Sequence, residues 1–89
     1  MKPTTTQYRL AAWLRLWREK LAERDEYMQR GFNLDASGLY ERARECFLKA
    51  DAFHDEARGM VDALYCLGFS ETEAFEAETE IRLYINGRG

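Results

Sequence analysis

Chemistry in this chain would have to begin with His54, Cys46 and Cys66, its candidate soft ligands and bases. Cys46 and His54 are eight residues apart, about two helical turns, so their side chains do not converge on one ion. Neither Cys-x-x-Cys nor His-Glu-x-x-His occurs. Free cysteine is among the most buried residue types, so Cys46 reads as a core residue. No metal and no cofactor are expected.

Nucleophilic catalysis needs a nucleophile, a base and a group that orients the base. The single His is flanked by Asp51 and Asp55 on the edge of an apolar stripe, which suits packing or solvent contact better than proton transfer. Carboxylates one turn apart, Asp51 with Asp55 or Glu76 with Glu80, would need an apolar pocket to raise one pKa before either acted as an acid. A small helical domain has little room for such a pocket, and no Gly-rich phosphate loop is present. The sequence therefore predicts no catalytic residues and a protein that is not an enzyme.

Binding chemistry is better represented. Arg9, Arg15, Arg18, Lys20 and Arg24 lie among Tyr8, Trp13 and Trp17, a mixture that can pair with phosphates and stack on bases. Glu19, Glu23, Asp25 and Glu26 interrupt that row, and the net charge of −3 has the wrong sign for strong phosphate binding. Nucleic acid is thus a lesser alternative to a protein partner. The charge is uneven: residues 1–30 hold seven cations against four carboxylates, 31–69 four against seven, and 70–89 two against five. Internal complementarity between a basic first helix and an acidic last one explains this, and a steered partner is the sharper reading. Glu73, Glu76 and Glu80 form an acidic face, which reads either as solubility or as an imitation of a phosphate backbone towards a basic partner.

The elements that position these groups are helical. The first helix begins near Thr4–Thr6, where Thr4 and Gln7 have the spacing of a capping box. Leu10, Leu14, Trp17, Leu21 and Met28 follow at helical spacing, and Trp13, Leu16 and Tyr27 widen the stripe. The resulting arc covers nearly half the helix, more than one neighbour needs. Trp13, Leu16, Trp17 and Tyr27, with Arg15 and Arg18 beside them, are accordingly expected at the boundary between core and contact surface. A break over 31–38 follows, in which Asp35 or Ser37 would cap the next helix.

Ala36, Ala43, Ala50, Ala57 and Leu64 recur every seven residues, as do Leu39, Cys46, Phe53, Met60 and Leu67, with Tyr40, Phe47, His54 and Val61 as a flanking row. A small-residue seam lets two helix axes approach closely, so the second helix should pair antiparallel with the first. Gly59 is a place where it could kink. Gly68 can end that helix in the left-handed conformation, with Phe69 folding back on Leu64. Ser70 with Glu73 is a second capping box, opening a last helix whose buried face is Ala74, Ala77, Ile81, Tyr84 and Ile85.

Residues 26–54 resemble one tetratricopeptide repeat. Gly38-Leu39-Tyr40-Glu41-Arg42-Ala43-Arg44-Glu45-Cys46-Phe47-Leu48-Lys49-Ala50 is similar to the family's Gly-x-Tyr-x-x-Ala-x-x-x-Phe-x-x-Ala, with Gly31 at the small position of the first helix and Tyr27 where the family has Trp. Arg30 replaces the expected Leu, and Asp55 stands where the closing Pro would be. No second copy lies 34 residues away in either direction, so the resemblance implies one repeat-like hairpin rather than an array. It also implies binding of peptides or helices of other proteins. Leu67-Gly68-Phe69-Ser70 is similar to the loop after the first helix of ubiquitin-associated domains, but helix-cap chemistry accounts for it.

The expected protein is all-α: a three-helix bundle built on a long antiparallel hairpin, with helices about 5–33, 36–67 and 71–86, forming a single domain over 1–89. A composition 46% hydrophobic and 33% charged has enough apolar surface to collapse. No apolar run of about 18 residues exists to span a membrane. Met1-Lys2-Pro3 opens no signal-type segment, and two thiols without one suit a reducing compartment, so a cytoplasmic location is expected. The expected function is a non-enzymatic interaction module that self-associates, for instance as a homodimer, or docks on a larger protein. A small inhibitor from a phage or mobile element that uses the acidic face is the alternative.

Overall fold

The computed structural model describes residues 2–87. Among these there are three helices and no strand: α1 (Thr5–Ala36), α2 (Tyr40–Cys66) and α3 (Glu71–Gly87). The all-α, three-helix expectation holds, and α1 packs against both other helices. Packing is organised in two compact units: one joins the chain up to Trp17 with the chain from Val61 onward, and the other is Arg18–Met60.

In the first unit, Leu10 and Leu14 of α1, Leu64 of α2 and Ala74 and Ala77 of α3 form one buried cluster. Trp13, Trp17 and Phe69 pack against it from its edges. Leu14 is completely enclosed, and burying a leucine contributes about 1.5–3 kcal/mol relative to leaving it in water. The second unit is a pair of helix segments that meet along the alanine row. Ala43, Ala50 and Ala57 are all nearly inaccessible, as the heptad spacing required. Gly31 makes room for Phe47: a Cβ built there would lie 2.5 Å from Cε1 of that ring.

Both interhelix turns use the same closure. At the end of α1 the Leu39 N–H donates to the Leu34 carbonyl at 2.9 Å, and the Gly38 N–H donates to Asp35 at 3.0 Å. At the end of α2 the Phe69 N–H donates to Leu64 at 3.1 Å, and the Gly68 N–H donates to Tyr65 at 2.9 Å. Gly38 and Gly68 have φ of 80° and 87°. This is the Schellman arrangement, in which a left-handed residue lets two orphan carbonyls be satisfied. The sequence carries it twice as Leu-x-x-x-Gly followed by an apolar residue, at 34–39 and at 64–69.

Several boundaries differ from expectation. α1 continues through Gly31 to Ala36, because Gly31 is a packing position for Phe47 rather than a breaker. α2 therefore starts at Tyr40, four residues later than expected. Neither Asp35 nor Ser37 caps it. Asp35 lies inside α1, Ser37 donates back to the Asn33 carbonyl at 3.0 Å, and the Leu39 carbonyl accepts the first bond of α2 from Ala43. Gly59 interrupts nothing, since α2 is continuous through it. The seam rows also run out at their ends: Ala36 is exposed, as are Leu39 (43%) and Leu67 (74%). On α3, Ala74 and Ala77 are buried as expected, but Ile85 is 62% exposed in the last turn, past the end of the packing.

The Thr4–Gln7 capping box forms reciprocally, whereas at Ser70–Glu73 the N-cap bond forms and the glutamate binds the hydroxyl instead of the Ser70 N–H. The Gln7 N–H donates to the Thr4 hydroxyl at 3.1 Å while the Thr4 N–H donates to the Gln7 side-chain carbonyl at 2.8 Å. The Glu73 N–H donates to the Ser70 hydroxyl at 3.3 Å, and that hydroxyl in turn donates to the Glu73 carboxylate at 3.3 Å. No helix of the described residues is long and apolar enough to cross a membrane.

Candidate protein-contact surfaces

In the first unit, Trp13 and Trp17 stack with ring centroids 5.5 Å apart, and Phe75 meets the edge of Trp17 at 6.5 Å. Both Trp side chains are half-buried, whereas Leu16 is 51% exposed and Arg15 projects into solvent beside it. The four-residue spacing of the two indoles makes them neighbours on one helix face. Both pack against the buried leucine–alanine cluster and stay partly accessible.

The three glutamates of the acidic face do come together. Glu73, Glu76 and Glu80 line one depression of about 240 Å³ whose floor includes Leu10, Phe69 and Ala77. At its edge the Gln7 amide donates to Glu80 at 2.6 Å. Elsewhere in this unit the Tyr65 hydroxyl donates to Glu71 at 2.8 Å, and that bond, reinforced by the carboxylate's charge, raises the phenol pKa above its ordinary value of 10.0.

In the second unit Tyr27 stacks on Phe53 at 5.6 Å, with Arg30 and Lys49 over the Tyr27 ring and Lys20 over the Phe53 ring. Lys20 also pairs with Glu56 at 2.9 Å, and that hydrogen bond raises its pKa. Arg18, the remaining predicted contact residue, is exposed. On the opposite flank a groove of about 430 Å³ runs between the helix segments, lined by Met28, Phe32, Ala50 and His54 with Arg24 and Asp25 at its rim. Three of its polar groups are tied together. The Arg24 guanidinium donates to Asp25 at 2.9 Å and approaches Nδ1 of His54 at 3.3 Å. Among the described residues no group of three or more His, Cys, Asp or Glu side chains could hold a metal ion.

Sequence reasoning overlooked Phe32 and Leu48, which are 55% and 58% exposed. Phe32 fell inside the segment read as a loop. For Leu48 a signal existed: at ~100° per residue it lies roughly 140–160° from the alanine row, so an apolar side chain there had no seam to enter. No family model, curated protein or solved structure matches the chain.

Proposed function

We propose that the protein is a non-enzymatic protein–protein interaction module, an adaptor or regulator that works by contact alone in the cytoplasm. One observation carries this reading: the small apolar side chains are inside and many of the large ones outside. Among the described residues, five of the eight buried hydrophobic ones are alanines, while Tyr8, Leu16, Phe32, Tyr40, Leu48, Tyr65, Leu67 and Leu83 are each at least 45% exposed. Scattered exposed hydrophobes are ordinary. A core of alanine beneath an exposed set of aromatics and leucines is the distribution expected of a surface completed by another chain.

The repeat-like hairpin fits this role. Gly31 and Phe47, which match the small and aromatic positions of the tetratricopeptide pattern, sit directly against each other, and that supports a helix- or peptide-binding mode. The phosphate-binding alternative is weakened because Lys20, Arg24 and Arg30 already pair with Glu56, Asp25 and Glu26. The inhibitor reading draws support from the convergence of Glu73, Glu76 and Glu80 on one apolar-floored depression.

Affinity capture from the source cells tests the proposal. The immobilised chain should retain a saturable protein partner or a second copy of itself, and Leu16→Glu or Leu48→Glu should lose it while circular dichroism stays unchanged. A chain that captures nothing and stays monomeric in light scattering overturns the reading. Reversal of Glu73, Glu76 and Glu80 to lysine separates the alternative: unchanged binding rules out mimicry by the acidic face.

A further inference from the structure

Resting on that reading and naming a partner for it, we infer that the outer flank of α2 in the second unit is the self-contact surface of an antiparallel homodimer. Tyr40, Arg44, Phe47, Leu48, Asp51 and Asp55 fall within an arc of about 100° on the helix. Tyr40 (67%) and Leu48 (58%) are exposed, Phe47 is half-buried, and Phe32 (55% exposed) packs its ring against Phe47 at 5.3 Å, widening the strip. Arg44, Asp51 and Asp55 are exposed and form no ion pair with another described residue.

The order of residues on this strip is self-complementary. A two-fold axis passing between Phe47 and Leu48 sets each residue against the one equally far beyond the axis on the other copy. Phe47 then meets the partner's Leu48, and Arg44 meets the partner's Asp51. The Tyr40 hydroxyl meets the partner's Asp55, where it can donate to a carboxylate. Each contact occurs twice, as an isologous interface demands. A parallel pairing would instead set Arg44 against Arg44 and Asp51 against Asp51, placing like charges together.

The area is of the right size. A standard interface takes about 800 Å² from each partner, of which some 56–65% is apolar, or about 450–520 Å². Phe32, Tyr40 and Leu48, at their stated exposures, offer roughly 300–400 Å² on the scale of aromatic and leucine side chains. Phe47 and the aliphatic stem of Arg44 extend the strip towards that requirement.

Charge exchange tests both the dimer and its register. Sedimentation velocity over a concentration series should show the wild-type chain self-associating. Arg44→Asp alone puts a carboxylate opposite the partner's Asp51, and Asp51→Arg alone puts a guanidinium opposite the partner's Arg44. Each should weaken self-association by about tenfold or more. The double variant should regain it, and an equimolar mixture of the two single variants should form a heterodimer that neither forms alone. Circular dichroism confirms that every variant is folded. A wild-type chain that stays monomeric throughout, single variants that dimerise as well as wild type, or a mixture that fails to associate would each overturn the inference. If the monomeric chain still retains another protein, the homodimer falls and the interaction-module reading stands.

Discussion

At Gly59 of α2 nothing lies within 4 Å of the point where an added Cβ would sit, whereas at Gly31 of α1 the Phe47 ring occupies that space. Gly59→Ala should therefore stabilise the fold by about 0.5–1 kcal/mol, the ordinary helix-propensity gain. Gly31→Ala gains the same propensity but must push the Phe47 ring aside, and overpacking of this kind costs typically about 1–3 kcal/mol. Urea unfolding of the two variants should move the midpoint in opposite directions. Residue spacing alone does not separate them, because a glycine's neighbours across a helix pair are not local in the chain; only the repeat resemblance singles out Gly31. The Tyr65–Glu71 bond gives a prediction in pH. Its raised phenol pKa means the bond's contribution is complete below the unfolded value near 10 and is lost as pH rises through the higher folded one. Ultraviolet titration should show the Tyr65 phenol returning towards its ordinary value in Glu71→Ala.

Caps and seams govern the helices. Ser70→Ala removes the acceptor for the Glu73 N–H and should cost roughly 1 kcal/mol, read as a lowered midpoint in urea. Leu14→Ala truncates the largest fully buried side chain of the first unit and should cost about 2.7–5 kcal/mol. Leu83→Ala, at a side chain 65% exposed, should change stability by less than about 0.5 kcal/mol. The start of α3 was legible because Gly68, Phe69, Ser70 and Glu73 each carry a local cap signal. The alanine row was legible because heptad spacing is a property of the helix itself. The end of α1 was not. Gly31, Asn33, Asp35 and Ser37 favour turns locally, and packing of Gly31 against Phe47 overrides them. The candidate surface was half legible: the stripe of Trp13 and Trp17 is periodic, whereas the exposure of Phe32 and Leu48 depends on how far each seam extends.

For the molecule as a whole, an association equilibrium must appear in its thermal stability. If two copies pair through α2, the unfolding midpoint should rise with protein concentration, because only the folded chain carries the complementary strip. The midpoint of Arg44→Asp should be independent of concentration, and differential scanning fluorimetry across a hundredfold dilution would separate the two. The alanine-lined seam has a thermal consequence of its own. Heat capacity of unfolding scales with the apolar area hydrated when the chain opens, on average about 12–15 cal/mol/K per residue. A lone chain whose larger side chains are already wet should fall below that average, with a flatter dependence of stability on temperature and weak cold lability. The missing increment should then appear calorimetrically upon association, as a negative heat-capacity change when the wet side chains are covered.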